Sequence, residues 1–222
     1  MSPLLTTRGA GSATGFGRLF AAGGDFESIA TITLSATSTS ISFTSIPSTY
    51  KHLQLRHMTR YSGSTVQDRI VGARFNSDSS SNYHYHYLTG DAASQGSAAV
   101  TGSGLSQNHA FFGYIPEGTN DNLFGINIVN ILDYANTSKN KTAMCLGGYT
   151  RISTSNTASW TRMAANGANT TTDGGTGQIS IISSLWPSTS VIDTITIGVS
   201  GAMNGPMPPY SHFALYGIKD PA

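Results

Sequence analysis

Residues 123–132 read Leu-Phe-Gly-Ile-Asn-Ile-Val-Asn-Ile-Leu, and this run decides the fold class. In an extended strand, successive side chains point to opposite faces. Ile126 and Ile128 would therefore share one face, while Val129 and Ile131 share the other. Aliphatic side chains on both faces are typical of a strand buried at the centre of a sheet. The run predicts a central, buried β-strand.

The same period of two recurs along much of the chain. Residues 28–34 and 53–59 alternate polar and apolar side chains, as half-buried strands do. Further strands are predicted for residues 41–46, 69–75, 83–88, 110–115, 142–150, 178–183, 192–199 and 213–218. The Ser/Thr turn at residues 35–40 predicts a hairpin between the first two strands. The small residues from 90 to 107 predict a long loop.

These elements define the expected architecture. No amphipathic helix of useful length accompanies the strands, and Gly, Pro, Asn and Ser separate them. Many short strands with such turns favour two packed sheets. We expect an all-β, antiparallel β-sandwich of jelly-roll type that spans residues 25–222.

The first 24 residues differ from the rest. Glycine recurs too often at residues 6–17 for a helix or an interior strand. We predict that residues 1–24 form an extended arm that attaches the protein to a neighbouring subunit, although a disordered tail is the alternative. The expected anchors are single side chains separated by flexible links, namely Leu4, Leu5, Arg8, Phe16, Leu19 and Phe20.

Charge is scarce. Only 10% of the residues are charged, against roughly 25% in an ordinary soluble domain, and the net charge is +1. Lys and Arg are scattered, so we expect no nucleic-acid partner. No apolar run approaches 18 residues, so we expect no membrane insertion. A surface this poor in charge favours burial against copies of the chain or against neighbours, with a homotrimer as the default arrangement.

The single cysteine, Cys145, has no intrachain partner for a disulfide. It lies in the apolar run Ala143–Met144–Cys145–Leu146. A buried, chemically inert thiol is the expectation for such a position.

Residues 83–87 read Tyr-His-Tyr-His-Tyr. On a strand, His84 and His86 share one face, about 7 Å apart, and the three tyrosines share the other. The two imidazoles could ligate a metal, but no carboxylate or cysteine accompanies them, so ordinary packing is favoured. The alternative is contact with a carbohydrate, for which Tyr83, Tyr85, Tyr87 and the loop residue Trp160 are the candidates.

Acid–base chemistry has little support. Most of the Asp and Glu residues lie beside turn residues, although Asp91 and Asp121 could form a pair in space. The chain has no Gly-x-Ser-x-Gly motif, and its N-terminal glycines lack dinucleotide spacing. We expect no enzymatic activity, no cofactor and no resident metal.

Several blocks resemble a family of virion proteins of tailed bacteriophages, met often in cyanophages. These blocks are residues 5–12, 26–30, 46–56, 131–139 and 213–219, which include Ile-Leu-Asp-Tyr-Ala-Asn-Thr-Ser-Lys at 131–139 and Phe-Ala-Leu-Tyr-Gly-Ile-Lys at 213–219. The resemblance implies a structural protein of the virion, usually of the tail fibre, and assigns no role to individual residues.

The combined expectation is a short tail-fibre or receptor-binding component located in the virion. The arm would attach to tail, baseplate or capsid proteins, and loops would contact a glycan of the host surface through many weak contacts. A capsid decoration protein is the alternative. A glycan depolymerase is a second alternative, from a different class.

Overall fold

The structure is a computed structural model, and it describes residues 25–63, 69–91, 95–100, 107–116, 123–150, 177–199 and 203–219. Within these ranges the chain forms twelve strands and no helix. The strands are β1 (Phe26–Thr33), β2 (Ser40–Phe43), β3 (His52–Thr59), β4 (Arg69–Phe75), β5 (His84–Asp91), β6 (Gln95–Val100), β7 (Ala110–Ile115), β8 (Gly125–Leu132), β9 (Lys141–Tyr149), β10 (Gln178–Trp186), β11 (Ile195–Val199) and β12 (His212–Ile218).

The strands form two sheets. The large sheet has eight strands in the order β1-β12-β3-β8-β9-β10-β5-β6, and the small sheet has four in the order β2-β11-β4-β7. Every pairing among these strands is antiparallel. The predicted all-β, antiparallel, two-sheet class is confirmed, and the arrangement is consistent with a β-sandwich.

Neighbours in the large sheet can be far apart along the chain. β1 pairs with β12, which is the last strand described, and Thr33 lies opposite His212, 179 positions later. The Thr33 hydroxyl and His212 Nδ1 are 2.8 Å apart, and the backbone N–H of Lys219 donates to the carbonyl of Asp25. The two ends of the described chain therefore meet at one border of the large sheet.

The core lies between the sheets. Leu55, Val129 and Ile182 project from the large sheet and are fully buried with Val71 of the small sheet. At one end, aromatic side chains fill the space, because the Phe75 ring lies 5.5 Å from Trp186, 6.0 Å from Phe112 and 6.1 Å from Tyr83. Burial of such aliphatic and aromatic side chains is the main force that holds two sheets together.

Two predictions about local structure are wrong. β1 and β2 do not form a hairpin, because they belong to different sheets and pair with β12 and β11. The predicted loop 90–107 contains β6, which pairs with β5. A strand of Gly, Ser and Ala at a sheet border has no apolar alternation that a sequence pattern could detect.

Some sequence predictions fall on residues outside the described ranges. These are the attachment arm, residues 1–24, with its anchors Leu4, Leu5, Arg8, Phe16, Leu19 and Phe20, and the contact residue Trp160.

Candidate interaction surface

One face of the large sheet points away from the small sheet and is here called the outer face. It carries large apolar side chains that are 37% to 68% exposed. They are Met58, Leu88, Ile126, Ile128, Leu132, Met144, Leu146, Ile179 and Ile181, here called the apolar patch. Single exposed aliphatic residues are common on soluble proteins, whereas a contiguous group marks an interaction site.

Strand register makes the apolar patch continuous. Leu146 of β9 lies opposite Ile128 of β8 on one side and Ile181 of β10 on the other. Ile181 in turn lies opposite Leu88 of β5. Directly opposed side chains have Cβ atoms about 4.5–5.5 Å apart. Four aliphatic side chains therefore form one unbroken row across four strands.

A second row runs beside the first. Ile126 lies opposite Met58 of β3 on one side and Gly148 of β9 on the other, and Gly148 lies opposite Ile179 of β10. Residues two apart on one strand share a face, so Ile126 adjoins Ile128. Together the two rows cover the middle of the outer face.

This surface corrects the prediction for residues 123–132. β8 is central, with β3 and β9 as its neighbours, and Val129 and Ile131 are fully buried as expected. Its other face was predicted to be buried too, yet Ile126 is 59% exposed. The reason is that the small sheet covers only one face of the large sheet.

A polar band of Arg56, Gln54 and Asn130 adjoins the apolar patch, and Asn130 lies between Ile128 and Leu132 on β8. The Arg56 guanidinium stacks over the rings of Phe26 and Tyr216, at 5.1 and 5.0 Å from their centroids. Arg56 Nε donates to Gln54 Oε1, and Gln54 Nε2 donates to Asn130 Oδ1, each at 2.8 Å. An apolar centre with a polar border is the usual anatomy of a protein interface.

The structure corrects two of the predicted contact residues. The tyrosines of residues 83–87 do share one face, but it is the inner one, and Tyr83 and Tyr85 are 0% and 7% exposed. The Tyr83 hydroxyl donates to the carbonyl of Asp78 and accepts from the N–H of Phe75. Side chains buried in the core cannot contact an external ligand, so the prediction for Tyr83 and Tyr85 is wrong.

Tyr87 is the half-buried member of this group. Its ring packs edge-on against Phe111 and Tyr114, with centroids 5.9 and 6.0 Å away. His86 lies on the outer face and is exposed. Within the described ranges, no three His, Cys, Asp or Glu side chains lie close enough together to hold a metal ion.

Cys145, His57 and Asn127 form a buried polar cluster between the sheets. His57 Nε2 and Cys145 Sγ both donate to the carbonyl of Phe112, at 3.0 and 3.2 Å. Asn127 Nδ2 donates to the carbonyl of Tyr114. These two carbonyls flank Gly113, whose φ is +125°, at an irregularity in the pairing of β4 and β7. The cluster therefore satisfies backbone groups that the ladder leaves unpaired.

A cysteine beside a histidine and an asparagine can form a catalytic thiol site in other proteins, but the electrostatics here oppose that chemistry. Burial raises the pKa of the Cys145 thiol to about 12 and lowers the pKa of His57 to about 4. A nucleophilic cysteine needs the opposite shift and access to substrate, and Cys145 is 1% exposed. The predicted burial of this thiol is confirmed, and its raised pKa opposes reactivity.

A second polar cluster organises the turn after β8. Asp133, at φ +47°, pairs with Lys139 at 2.7 Å and Lys51 at 3.5 Å. Lys141 is fully buried, and its Nζ donates to the backbone carbonyls of Asn136, Lys139 and Thr189. Both groups stabilise the loop structure, because all their partners belong to the turn or to strand ends.

The apolar patch is the feature that sequence analysis missed. The signal was present, since residues 126 and 128 on β8, 144 and 146 on β9, and 179 and 181 on β10 are all apolar. These positions share the outer face, and their alternate partners fill the core.

No family model, curated protein or solved structure matches this chain. Among the described residues, no helix has the length and apolar character needed to cross a membrane.

Proposed function

We propose that this protein is a structural component of a tailed-phage virion that works by packing against copies of itself and against neighbouring virion proteins, without enzymatic activity. The observation that carries the proposal is the apolar patch on a chain in which only 10% of the residues are charged. A free, soluble catalyst normally covers itself with charge and avoids such a patch.

The strand order supports a jelly-roll interpretation of the sandwich. The large sheet contains the order β1-β12-β3-β8 and the small sheet has the order β2-β11-β4-β7. The chain alternates between the two sheets from β1 to β4, again from β7 to β8, and again from β11 to β12. Two interlocked Greek keys have this pattern, and jelly rolls are common in viral coat proteins and lectins. In this interpretation β9, β10, β5 and β6 widen the large sheet.

Within the virion, we favour a short tail-fibre or receptor-binding component. Residues 1–24 would attach it to tail or baseplate proteins through the anchors named above, and loops would contact a host-surface glycan. With Tyr83 and Tyr85 in the core, Tyr87 and Trp160 are the aromatic candidates that remain for that contact. Self-association through the low-charge surface multiplies weak contacts of this kind.

The test is to locate the protein in intact particles with gold-labelled antibodies. Label at the tail tip or on its fibres is the expected result. Label spread over the capsid shell would contradict the tail-fibre assignment and support the alternative, a capsid decoration protein. Particles without label would overturn the virion proposal. Release of reducing ends from host polysaccharide by the purified protein would overturn the non-enzymatic part.

A further inference from the structure

We propose that the apolar patch is the surface through which this chain packs against a second copy of itself, outer face against outer face. The inference deepens the proposed function and rests on its self-association, but it does not depend on the position of the protein in a particle.

The apolar patch, together with the polar side chains beside it, supplies an area of the order that a stable pair requires. Its nine side chains are each exposed by 37% to 68%, so their combined apolar area is on the order of several hundred Å². The largest patch on a typical monomer is about 300–600 Å², and a standard interface buries about 800 Å² per partner. The polar band of Arg56, Gln54 and Asn130 supplies further area at the border.

The chemistry of the apolar patch suits a copy of itself. All nine members are aliphatic or thioether side chains, so two copies bring no like charges together when their patches meet. Arg56, a cation that lies opposite Ile128 on the outer face, is already stacked on Phe26 and Tyr216. A self-complementary patch of this kind produces an isologous contact about a twofold axis.

The position of the apolar patch in the sheet favours two copies over three. The patch spans β5, β10, β9, β8 and β3, about 19 Å at the usual strand spacing. β6 extends the sheet beyond one border, and β12 and β1 extend it beyond the other. If the outer faces of three copies pointed at a threefold axis, the borders of these wide sheets would meet first. The side chains of the apolar patch, at the centre of each sheet, would then be too far from the axis to contact one another. Two sheets stacked about 10 Å apart avoid both problems.

A twofold contact differs from the homotrimer expected on composition alone. That expectation came from low charge and did not identify a surface. The register of β5, β10, β9 and β8 now identifies the surface, and its central location in a wide sheet favours the pair.

The first experiment measures the mass of the full-length protein by sedimentation from low to high micromolar concentration. We expect a concentration-dependent dimer. Leu146→Asp and Ile181→Asp place a carboxylate at the centre of the contact, where it would be buried without a partner, and should weaken association at least about 100-fold. Both side chains are exposed in the single chain, so circular dichroism should be unchanged.

The matched control is Tyr210→Asp. Tyr210 is 76% exposed, lies outside the strands and has φ +70°, a backbone region that Asp tolerates well. This variant should dimerise like the unaltered protein. Equal loss in the control, or full association of Leu146→Asp and Ile181→Asp, would overturn the proposal.

A second measurement does not depend on disruptive charges. Leu146→Cys introduces a thiol on the apolar patch, next to the native thiol of Cys145, which is buried and unreactive. A bulky maleimide should label it at least about 10-fold more slowly at high protein concentration than at low. Ser42→Cys, on an exposed position of β2, should react equally at both concentrations.

The remaining outcomes are distinct. Slow labelling of Leu146→Cys at every concentration, in a protein that sediments as a monomer, would mean that the chain covers its own patch, and would overturn pairing. A protein that sediments as a monomer and labels rapidly at every concentration would also overturn pairing. A trimer of the unaltered protein would overturn it too. A dimer that depends on the apolar patch supports the inference even if gold label is absent from particles, so it can stand when the virion proposal fails.

Discussion

The indole Nε1 of Trp186 donates to Asp78 Oδ2 at 2.7 Å and so ties the end of β10 to the loop between β4 and β5. The same carboxylate accepts from the backbone N–H of Ser80 and from Asn82 Nδ2. Burial raises the pKa of Asp78, but these hydrogen bonds outweigh it and lower the pKa to about 2. One carboxylate therefore holds together the turn that leads into Tyr83.

Replacing this carboxylate should destabilise the fold. Asp78→Ala leaves the Trp186 indole without its acceptor in a partly buried site, and we expect a loss of about 1–3 kcal/mol in the free energy of unfolding. Urea denaturation followed by tryptophan fluorescence measures it. Asp193→Ala, at an exposed aspartate beside β11, is the control and should change stability by less than about 0.5 kcal/mol. Equal effects would count against the role of Asp78.

Stability should fall in mild acid. Burial lowers the pKa of His57 to about 4, and burial with the charge of Arg74 lowers the pKa of His109 to about 4. Both rings are therefore neutral when folded and take up protons on unfolding below about pH 6.5. The unfolded state binds more protons, so stability is full above about pH 6.5 and is lost as pH falls toward 4, by up to about 1.4 kcal/mol per pH unit for each histidine.

Denaturation midpoints between about pH 7.5 and 4.5 test this pH dependence. His57→Gln should reduce the slope by about half. Ser42→Ala, at an exposed position of β2 that carries no titratable group, should leave the slope unchanged. A slope that stays the same in His57→Gln would contradict the assignment.

The buried ammonium of Lys141 should matter more than the exposed ion pair beside it. Lys141→Met leaves the carbonyls of Asn136, Lys139 and Thr189 without their donor, and we expect a loss of about 2–4 kcal/mol. Lys139→Met removes only an exposed pair with Asp133 and should cost less than about 1 kcal/mol. Thermal melting of the two variants gives the comparison, and a smaller loss for Lys141→Met would show that its three hydrogen bonds are unimportant.

Gly113 should tolerate no side chain. Its φ is +125°, and a Cβ there would overlap Asn127 Oδ1. Gly113→Ala should therefore cost at least about 2 kcal/mol or prevent folding. Gly90→Ala is the control, because a Cβ at Gly90 meets nothing within 4 Å. Comparable yields and melting temperatures for the two variants would contradict the tight packing around Asn127.

Local alternation predicts much of this fold, because a strand with one face in the core shows its period of two in the sequence. Residues 28–34 and 53–59 are examples, and β1 and β3 lie there. Alternation does not say which strands pair, so β1 was assigned to β2, although its partner β12 lies far along the chain. β6 was missed because Gly, Ser and Ala at an exposed border carry no pattern.

The candidate surface was harder to predict than the strands. Alternation divides residues 83–87 into a histidine face and a tyrosine face, but it cannot say which face meets the core. The choice depends on the aromatic space around Phe75 and Trp186, which forms only when both sheets are present. For β8 the apolar pattern on both faces was clear, and only the placement of the small sheet reveals that one of them is open.

The pairing of β1 with β12 has a consequence for how the protein is made. As the ribosome releases the chain, β1 emerges long before β12. The pairing partner of β1 is therefore absent during the synthesis of all the strands between them. Contacts so distant in sequence slow folding, and during that delay the early strands expose unpaired N–H and C=O groups. We expect the nascent chain to depend on chaperones until β12 is synthesised.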